Sequence, residues 1–421
     1  MPMRVLVLSI NYAPEPTGFA PHVTALCEHL VREHHEVTAI SGFPFAPYWS
    51  RWDHEGKGTI ARETRNRVSL YRVRHFVPRQ PRRLAERILM EGTFSLLALW
   101  TVLTRVRMRP DVILYVGAQP SIAMVARLLG VWHRCPYVIA VNDLAAQAAT
   151  DVGIVRKGSL FAGLRLFERA AYRRASGAIV LCRAFRDALV ADGFPADRIS
   201  IVPSPVDVDV VRPTNDTRTF RRTHDIDPDA FVVLYSGSMG VKQDLATVVE
   251  AARILGPDQG VVWVLVGEGE LKSEVARRIE REQLERCVRL LPFEPETGMA
   301  AMFSSADVLL LSQLATVKDT VIPSKLLTYM ASGRPVVASV HPESEAASLM
   351  KEVGGGTLVA PERPDDLVRA ILDLKTNRRS LAELGVRNRR YAELTFDVRS
   401  VVARQEQVLR EAVMRAAPAH R

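Results

Sequence analysis

The sequence predicts an α/β protein built from two doubly wound parallel-sheet domains, and three observations carry that expectation. Strand-like apolar runs alternate with helical ones along the chain, the pattern of parallel sheets covered by helices on both faces. That rhythm stops near Pro213 and then starts again. A chain of 421 residues also exceeds what one hydrophobic core usually serves, so two domains of about 200 residues each are the default.

In chain order, RVLVLSI reads as a first strand and the stretch from about Pro21 to His34 as a helix. EVTAISG follows as a strand, then a basic region. DVILYVG, a helix over Ile122 to Gly130, YVIAVND, GAIVLC and ISIVPSPVD complete the first half. FVVLYSG opens the second, with a helix from about Asp244, VVWVLVG, a helix from Leu271, VRLLPF and ADVLLLS behind it. PSKLLTYMASG then reads as a proline-led helix ending in a turn at Ser332-Gly333, and PVVASV as the next strand. The chain is helical and charged from Asp365 onward. The boundary falls in SPVDVDVVRPTNDT, giving Rossmann-like domains over 1–209 and 210–395 and a helical tail over 396–421.

Composition narrows the function classes. A hydrophobic fraction of 48% with 24% charged residues excludes a disordered or fibrous chain. Cys27, Cys135, Cys182 and Cys287 lie far apart, with no C-x-x-C pair and no His at metal spacing, which argues against a disulfide framework and a zinc site and fits a reducing cytoplasm. The N-terminus carries one basic residue and a short apolar run without a small-residue cleavage site, so no signal peptide is expected. The basicity is local: Arg51 to Arg109 holds fourteen Lys or Arg against five acids, enough to account for the whole formal charge of +9. Within it, LAERILMEGTFSLLALWTVLTRV has an uninterrupted apolar run from Thr93 to Thr104, too short to span a bilayer. Two readings stand: a core-facing helix with solvated ends, or a helix at anionic lipid or a lipid-linked substrate. The arginines follow no recognition-helix, zinc-finger or single-strand pattern, so nucleic acid is not an expected partner.

Open parallel sheets place ligands at the carboxyl ends of their strands, so the loops there are the candidates for chemistry. NYAPEPTGFAPH is stiffened by three prolines, and Gly18 leaves room for a ligand near the next helix start. In SMGVKQD, Gly237 and Gly240 relieve crowding and Lys242 can reach a phosphate as a point charge. A turn with a solvated lysine would look the same. VGEGEL, from Gly267 to Leu271, is a further glycine-containing loop. Ser324 and Lys325 open the PSKLLTYMASG helix, where unpaired backbone N–H groups and the positive dipole end favour an anion; the same Ser also reads as an ordinary cap.

The order of these features resembles one family. P-x-P-x-G near the N-terminus, HHEVTAIS, a strand ending in Asn142-Asp143, the PSPVD link, SGSMGVKQDL, LVGEGEL and PSKLLTYMASGRPVVAS are similar to family-4 retaining glycosyltransferases of the GT-B fold, and most to the exopolysaccharide and colanic-acid branch. The resemblance runs from about Met3 to Asp397. It implies two Rossmann-like domains facing across a cleft, an N-terminal one for the acceptor and a C-terminal one for a UDP- or GDP-sugar, with no cofactor and no obligatory metal. The acceptor side would include Gly18, Phe19 and Asn142. Gly237, Ser238, Gly240, Lys242, Ser324 and Lys325 would hold the donor diphosphate, and Gly267, Phe293 and Thr328 the nucleoside. Asp143 and Lys242 would be the catalytic side chains, although Asp143 also reads as a helix cap for LAAQAA. The acceptor would be an oligosaccharide or a lipid-linked surface-glycan precursor. The enzyme would be cytoplasmic or peripheral at the inner face of the plasma membrane.

The chain departs from that family in four places. The usual E-x7-E pair falls on Thr320 and Thr328, the usual His of His-Asp is Asn142, and the usual Arg of the phosphate loop is Ser238. A threonine hydroxyl still hydrogen-bonds a sugar, but without the charge-assisted part of the contact. Two other readings of the sequence are a sugar-nucleotide epimerase on the same fold, which would lean on acid and base side chains that these loops supply thinly, and a non-catalytic nucleotide-sugar-binding or assembly protein.

Overall fold

The structure, a computed structural model, describes residues 1–15, 19–46, 49–50, 58–80, 83–143, 159–318 and 321–416. The chain divides into two compact units, Met1–Pro203 with Val401–Arg421, and Ser204–Ser400. Gly18 and Thr320 lie outside the described residues, as do the residues of LAAQAA that follow Asp143.

The first unit is built on β1 (Arg4–Leu8), α1 (Ala20–Arg32), β2 (Glu36–Gly42), β3 (Ile60–Arg65), β4 (Val68–Val73), α2 (Leu84–Arg105), β5 (Val112–Gly117), α3 (Pro120–His133), β6 (Tyr137–Val141), α4 (Ser159–Tyr172), β7 (Gly177–Val180), α5 (Arg183–Ala191) and β8 (Ile199–Ile201). Its sheet has the order β3-β4-β2-β1-β5-β6-β7-β8, parallel throughout except for the β3–β4 pair. β5, VILYVG, is buried at every residue, as expected of a strand covered on both faces. The β3–β4 hairpin was hidden in the basic region and is an addition to the sequence reading.

Helix α2 reaches well beyond the Thr93–Thr104 run. At 22 residues it is long and apolar enough, by length and composition, to cross a membrane, yet a third of its most apolar stretch is buried within the unit. It packs on β4, β2 and α3 through a face that includes Met90, Phe94, Ala98 and Val102. Leu89, Leu96, Trp100 and Leu103 fall on the other side and stand exposed. The core-facing reading therefore describes one face of this helix, and the other face carries exposed apolar side chains.

The second unit holds α6 (Thr219–Thr223), β9 (Phe231–Ser236), α7 (Leu245–Leu255), β10 (Val261–Val266), α8 (Lys272–Arg281), β11 (Val288–Leu291), α9 (Glu296–Ser305), β12 (Val308–Ser312), α10 (Ser324–Ala331), β13 (Val336–Ser339), α11 (Glu345–Val353), β14 (Gly356–Val359), α12 (Pro364–Thr376) and α13 (Arg378–Thr395). Its parallel sheet has the order β11-β10-β9-β12-β13-β14, the doubly wound dinucleotide-fold order with a switch between β9 and β12. Apolar layers pack on both faces of this sheet, one around Leu326, Leu327 and Met330 of α10 and the other around Trp263 and α7.

The segment expected as a separate tail is corrected by the structure. From Val401 onward, helix α14 (Val398–Ala416) belongs to the first unit. Its Glu406 accepts hydrogen bonds from His29 Nε2 at 2.8 Å, His35 Nε2 at 3.1 Å and Arg410 Nε at 2.7 Å. The tautomer of His35 is fixed by its other nitrogen: Nδ1 accepts the Met3 amide at 2.8 Å, so Nε2 carries the proton that Glu406 receives. A helix pattern alone does not say which sheet the helix will pack on. The unit boundary, Pro203 to Ser204, also falls earlier than the expected 209 to 210.

Candidate functional site

In the second unit the switch between β9 and β12 opens a crevice outside the carboxyl ends of the two strands, because their onward connections leave in opposite directions. Two loops enter it, one after Ser236 and one after Ser312, the latter leading into α10. They are tied together by the Leu314 amide, which donates to the Lys242 carbonyl at 3.1 Å, and the Met239 amide ties the first of them to the loop after β10 by donating to the Glu268 carbonyl at 2.8 Å. Asp244 is buried at the end of the first loop and caps α7 by accepting the Thr247 amide, which fixes where that loop stops.

Lys325 runs across the floor of these loops. Its Nζ donates to the Tyr235 hydroxyl at 2.5 Å, the Ser238 carbonyl at 2.9 Å and Gln243 Oε1 at 3.0 Å, and stands 4.3 Å from the Tyr235 ring centroid. All of these partners are neutral, and among the described residues Lys325 has no carboxylate partner. Burial pushes its pKa down to about 7. A cation surrounded by neutral oxygens is stabilised by an anion that enters beside it.

Of the two glycines expected to relieve crowding, Gly237 does so and Gly240 does not. Gly237 has φ +140°, and a Cβ there would come within 2.2 Å of Lys325 Cε, so the missing side chain makes room for this lysine. Gly267, at φ +153°, is needed because a Cβ would meet the Gly237 carbonyl oxygen at 2.0 Å. Gly240 relieves no crowding: the nearest atom to a Cβ there is Ser238 Oγ at 3.7 Å, an ordinary contact.

Helix α10 begins behind Pro323, with no side chain capping its first turn. Ser324 is exposed, and its carbonyl accepts the Thr328 hydroxyl at 3.2 Å. Thr328 is half-buried, and Lys242 is exposed in its loop. Leu326, Leu327, Tyr329 and Met330 form the buried face, and the Tyr329 hydroxyl takes the Ser236 amide at 2.8 Å and donates to the Ser236 carbonyl at 2.9 Å. The helix is thus pinned to the end of β9. Phe293 follows β11 and is exposed.

The structure therefore brings Gly237, Ser238, Gly267 and Lys325 into one cluster, with Lys242 on the same loop. Tyr235, Gln243 and Tyr329 belong to that cluster and were missed by sequence reasoning. Their signal is positional: one tyrosine near the end of a strand, one on the helix after a neighbouring strand, and an amide beside the loop lysine. In the first unit, Asn142 and Asp143 leave β6 half-buried, with the Asn142 amide on the Gly117 carbonyl at 3.2 Å, and Phe19 is the residue from which α1 starts. Among the described residues no group of three or more His, Cys, Asp or Glu is placed to hold a metal ion.

Comparison with known proteins covers both units. Residues 17–205 match the family model described as "Glycosyl transferase 4-like domain", and residues 216–391 match "Glycosyl transferases group 1". A chain of Escherichia coli (strain K12), assigned as the colanic acid biosynthesis glycosyl transferase WcaI, is 27% identical over 410 residues, 95% of this chain and 98% of that one. The amylovoran biosynthesis glycosyltransferase AmsK of Erwinia amylovora is 28% identical over 195 residues, 46% of this chain and 45% of its own. Among solved structures, Anabaena Alr3699/HepE in complex with UDP superposes with a TM-score of 0.70 at 16% identity, covering 97% of this chain and 100% of that one. WaaG, a glycosyltransferase of lipopolysaccharide biosynthesis, gives 0.65 at 16% identity over 96% and 99%. With both units matched in order and the doubly wound pair of sheets in place, the chain belongs to the family-4 glycosyltransferases of the GT-B fold and is related to enzymes of colanic acid and amylovoran biosynthesis.

Proposed function

We propose that this protein is a retaining, metal-independent hexosyltransferase that moves a sugar from a UDP- or GDP-sugar to a lipid-linked exopolysaccharide precursor at the cytoplasmic face of the membrane. The observation that carries the donor side is Lys325, a cation among neutral partners beneath a loop that also bears Lys242. The Escherichia coli relative, a colanic acid biosynthesis glycosyl transferase, and the HepE complexes with UDP and UDP-glucose support a nucleotide-sugar donor and a polysaccharide product.

On this reading the leaving diphosphate is stabilised by Lys242, Lys325 and the first-turn N–H groups of α10, in place of a divalent ion. Departure of the diphosphate leaves oxocarbenium character at the anomeric carbon. The acceptor hydroxyl attacks the same face and gives its proton to the departing phosphate, so no enzyme nucleophile is needed, and Asp143 of the first unit orients the acceptor hydroxyl. Helix α2 brings the first unit to anionic lipid.

A second reading, a nucleotide-sugar binder without turnover, is favoured by Thr328, whose hydroxyl turns back to its own helix where the family has a carboxylate. Thermal unfolding against a panel of UDP- and GDP-sugars, followed by hydrolysis and transfer assays on each stabilising donor, separates the two. A ligand at a hundred times its Kd adds about 2.7 kcal/mol to the native state. Stabilisation with turnover supports the transferase, stabilisation without it the binder, and no stabilisation by any donor removes both.

A further inference from the structure

The β3–β4 hairpin and the last turn of α2 enclose a groove of about 790 Å3 whose lining includes none of the candidate site residues discussed above. Arg62 and Arg67 enter it from the hairpin, and Arg105 and Arg107 from the end of α2 and the segment after it. Thr38 and Ser69 also line it, and Glu36 is the one acid in the lining. Glu36 and Thr38 open β2, so the groove lies toward the amino end of that strand, whereas the strand-exit loops leave from carboxyl ends.

Among the described residues none of the four guanidinium groups is paired with a carboxylate; Arg62 lies over the Tyr71 ring at 5.5 Å, and the Tyr71 hydroxyl donates to the Arg105 carbonyl at 3.2 Å. Like charges gathered around one groove repel, and an anion entering it relieves that repulsion. The planar guanidinium fork suits phosphate oxygens in particular. The same helix that supplies Arg105 exposes Leu96, Trp100 and Leu103, so an apolar stripe runs along the element whose end walls the groove. A molecule with a phosphate at one end and acyl chains at the other matches both features, and Trp100 is the residue type that settles at a membrane interface.

We propose that this groove binds the phosphate of an anionic phospholipid headgroup, as a second anion site separate from the donor loops. The inference stands whether or not the chain transfers sugar, and it extends the membrane reading of α2 to the hairpin arginines.

The test uses the full chain with vesicles of phosphatidylcholine, alone or mixed with phosphatidylglycerol, and with pyrophosphate as a soluble probe. Arg62→Gln with Arg67→Gln is compared with Arg379→Gln and Arg390→Gln, which remove the same charge from the exposed side of α13. The hairpin pair is expected to lower affinity for phosphatidylglycerol vesicles at least tenfold, and the control pair less than twofold, with unchanged thermal unfolding and donor binding in both. Equal losses in the two pairs would mean diffuse charge attraction and overturn the site, as would no loss in either. Pyrophosphate binding that depends on the hairpin arginines, in a protein that ignores the vesicles, would overturn the lipid assignment in favour of a free anion.

Discussion

The ammonium of Lys325 stands 2.5 Å from the hydroxyl of Tyr235 and 4.3 Å from the centroid of the same ring, so one side chain offers it both a lone pair and a π face. Burial holds this lysine down to about 7, against an ordinary value of 10.5. Between those two values the unfolded chain binds a proton that the folded chain lacks, so this group makes stability rise with pH from about 7 to 10.5, while below 7 its full penalty is present. Anion binding should run the other way, because only the protonated lysine attracts phosphate, and affinity for UDP should fall as pH climbs above 7. Denaturant unfolding and UDP titrations across this range, repeated on Lys325→Met, check both slopes. Slopes that persist in the variant would assign them to another group.

Lys242→Ala should weaken binding of the nucleotide diphosphate by about 1.5–3 kcal/mol, the worth of a charge-assisted contact, and leave the fold intact because the side chain is exposed. Calorimetric titration with UDP and GDP measures it. Unchanged affinity for both would take this lysine out of the donor site.

Thr328 and Leu327 are neighbours on α10 with different expected roles. Thr328→Glu should change donor affinity or preference, in either direction, by placing a carboxylate where the family has one. Leu327→Ala removes a side chain left only 2% exposed and should cost about 2–5 kcal/mol of stability. A silent Thr328→Glu beside a costly Leu327→Ala would make α10 a packing element alone.

Glu406→Ala should cost about 3–5 kcal/mol in denaturant unfolding, since it strands groups that now share one buried carboxylate. Burial would raise that carboxyl, but hydrogen bonds from His35, Arg410 and His29 outweigh it and hold the pKa below the usual glutamate value. Its stabilisation is therefore fully present above about pH 4.5 and fades as pH falls through the lowered value. The variant should lose this acid limb; an unaltered limb would place the acid sensitivity elsewhere.

Leu96→Ser with Trp100→Ser should reduce sedimentation with anionic vesicles several-fold without lowering thermal stability, because both side chains are exposed. The wild type should bind anionic and not neutral vesicles, and high salt should release it. Salt-insensitive binding, or none, would leave α2 as a helix of the core.

Much of the fold was legible because strands covered on both faces must be apolar along their whole length. FVVLYS and VVWVLV announce themselves without any partner in view. IARETR did not: β3 is an edge strand with no buried residue, and its charges read as part of a basic region. The start of α10 was legible from Pro323, Ser324 and Lys325, because a helix start and its dipole are local properties. The direction of the Lys325 side chain was not, because it is set by Tyr235, which lies 90 positions away and meets the lysine only once the sheet has formed. For the same reason the sequence could say that Gly237 relieves crowding but not that the side chain it makes room for is a lysine 88 positions away.

The carboxylate that joins His29 and His35 arrives last. Glu406 is separated from His35 by 371 positions, so at ordinary elongation rates it leaves the ribosome tens of seconds after the strand beside that imidazole. Throughout that interval the nascent first unit holds two histidines without their acceptor, and a chain cut short before residue 401 never supplies it. Completion of this unit thus waits until the whole second unit has been made, and stop codons anywhere between the two damage the first half of the protein.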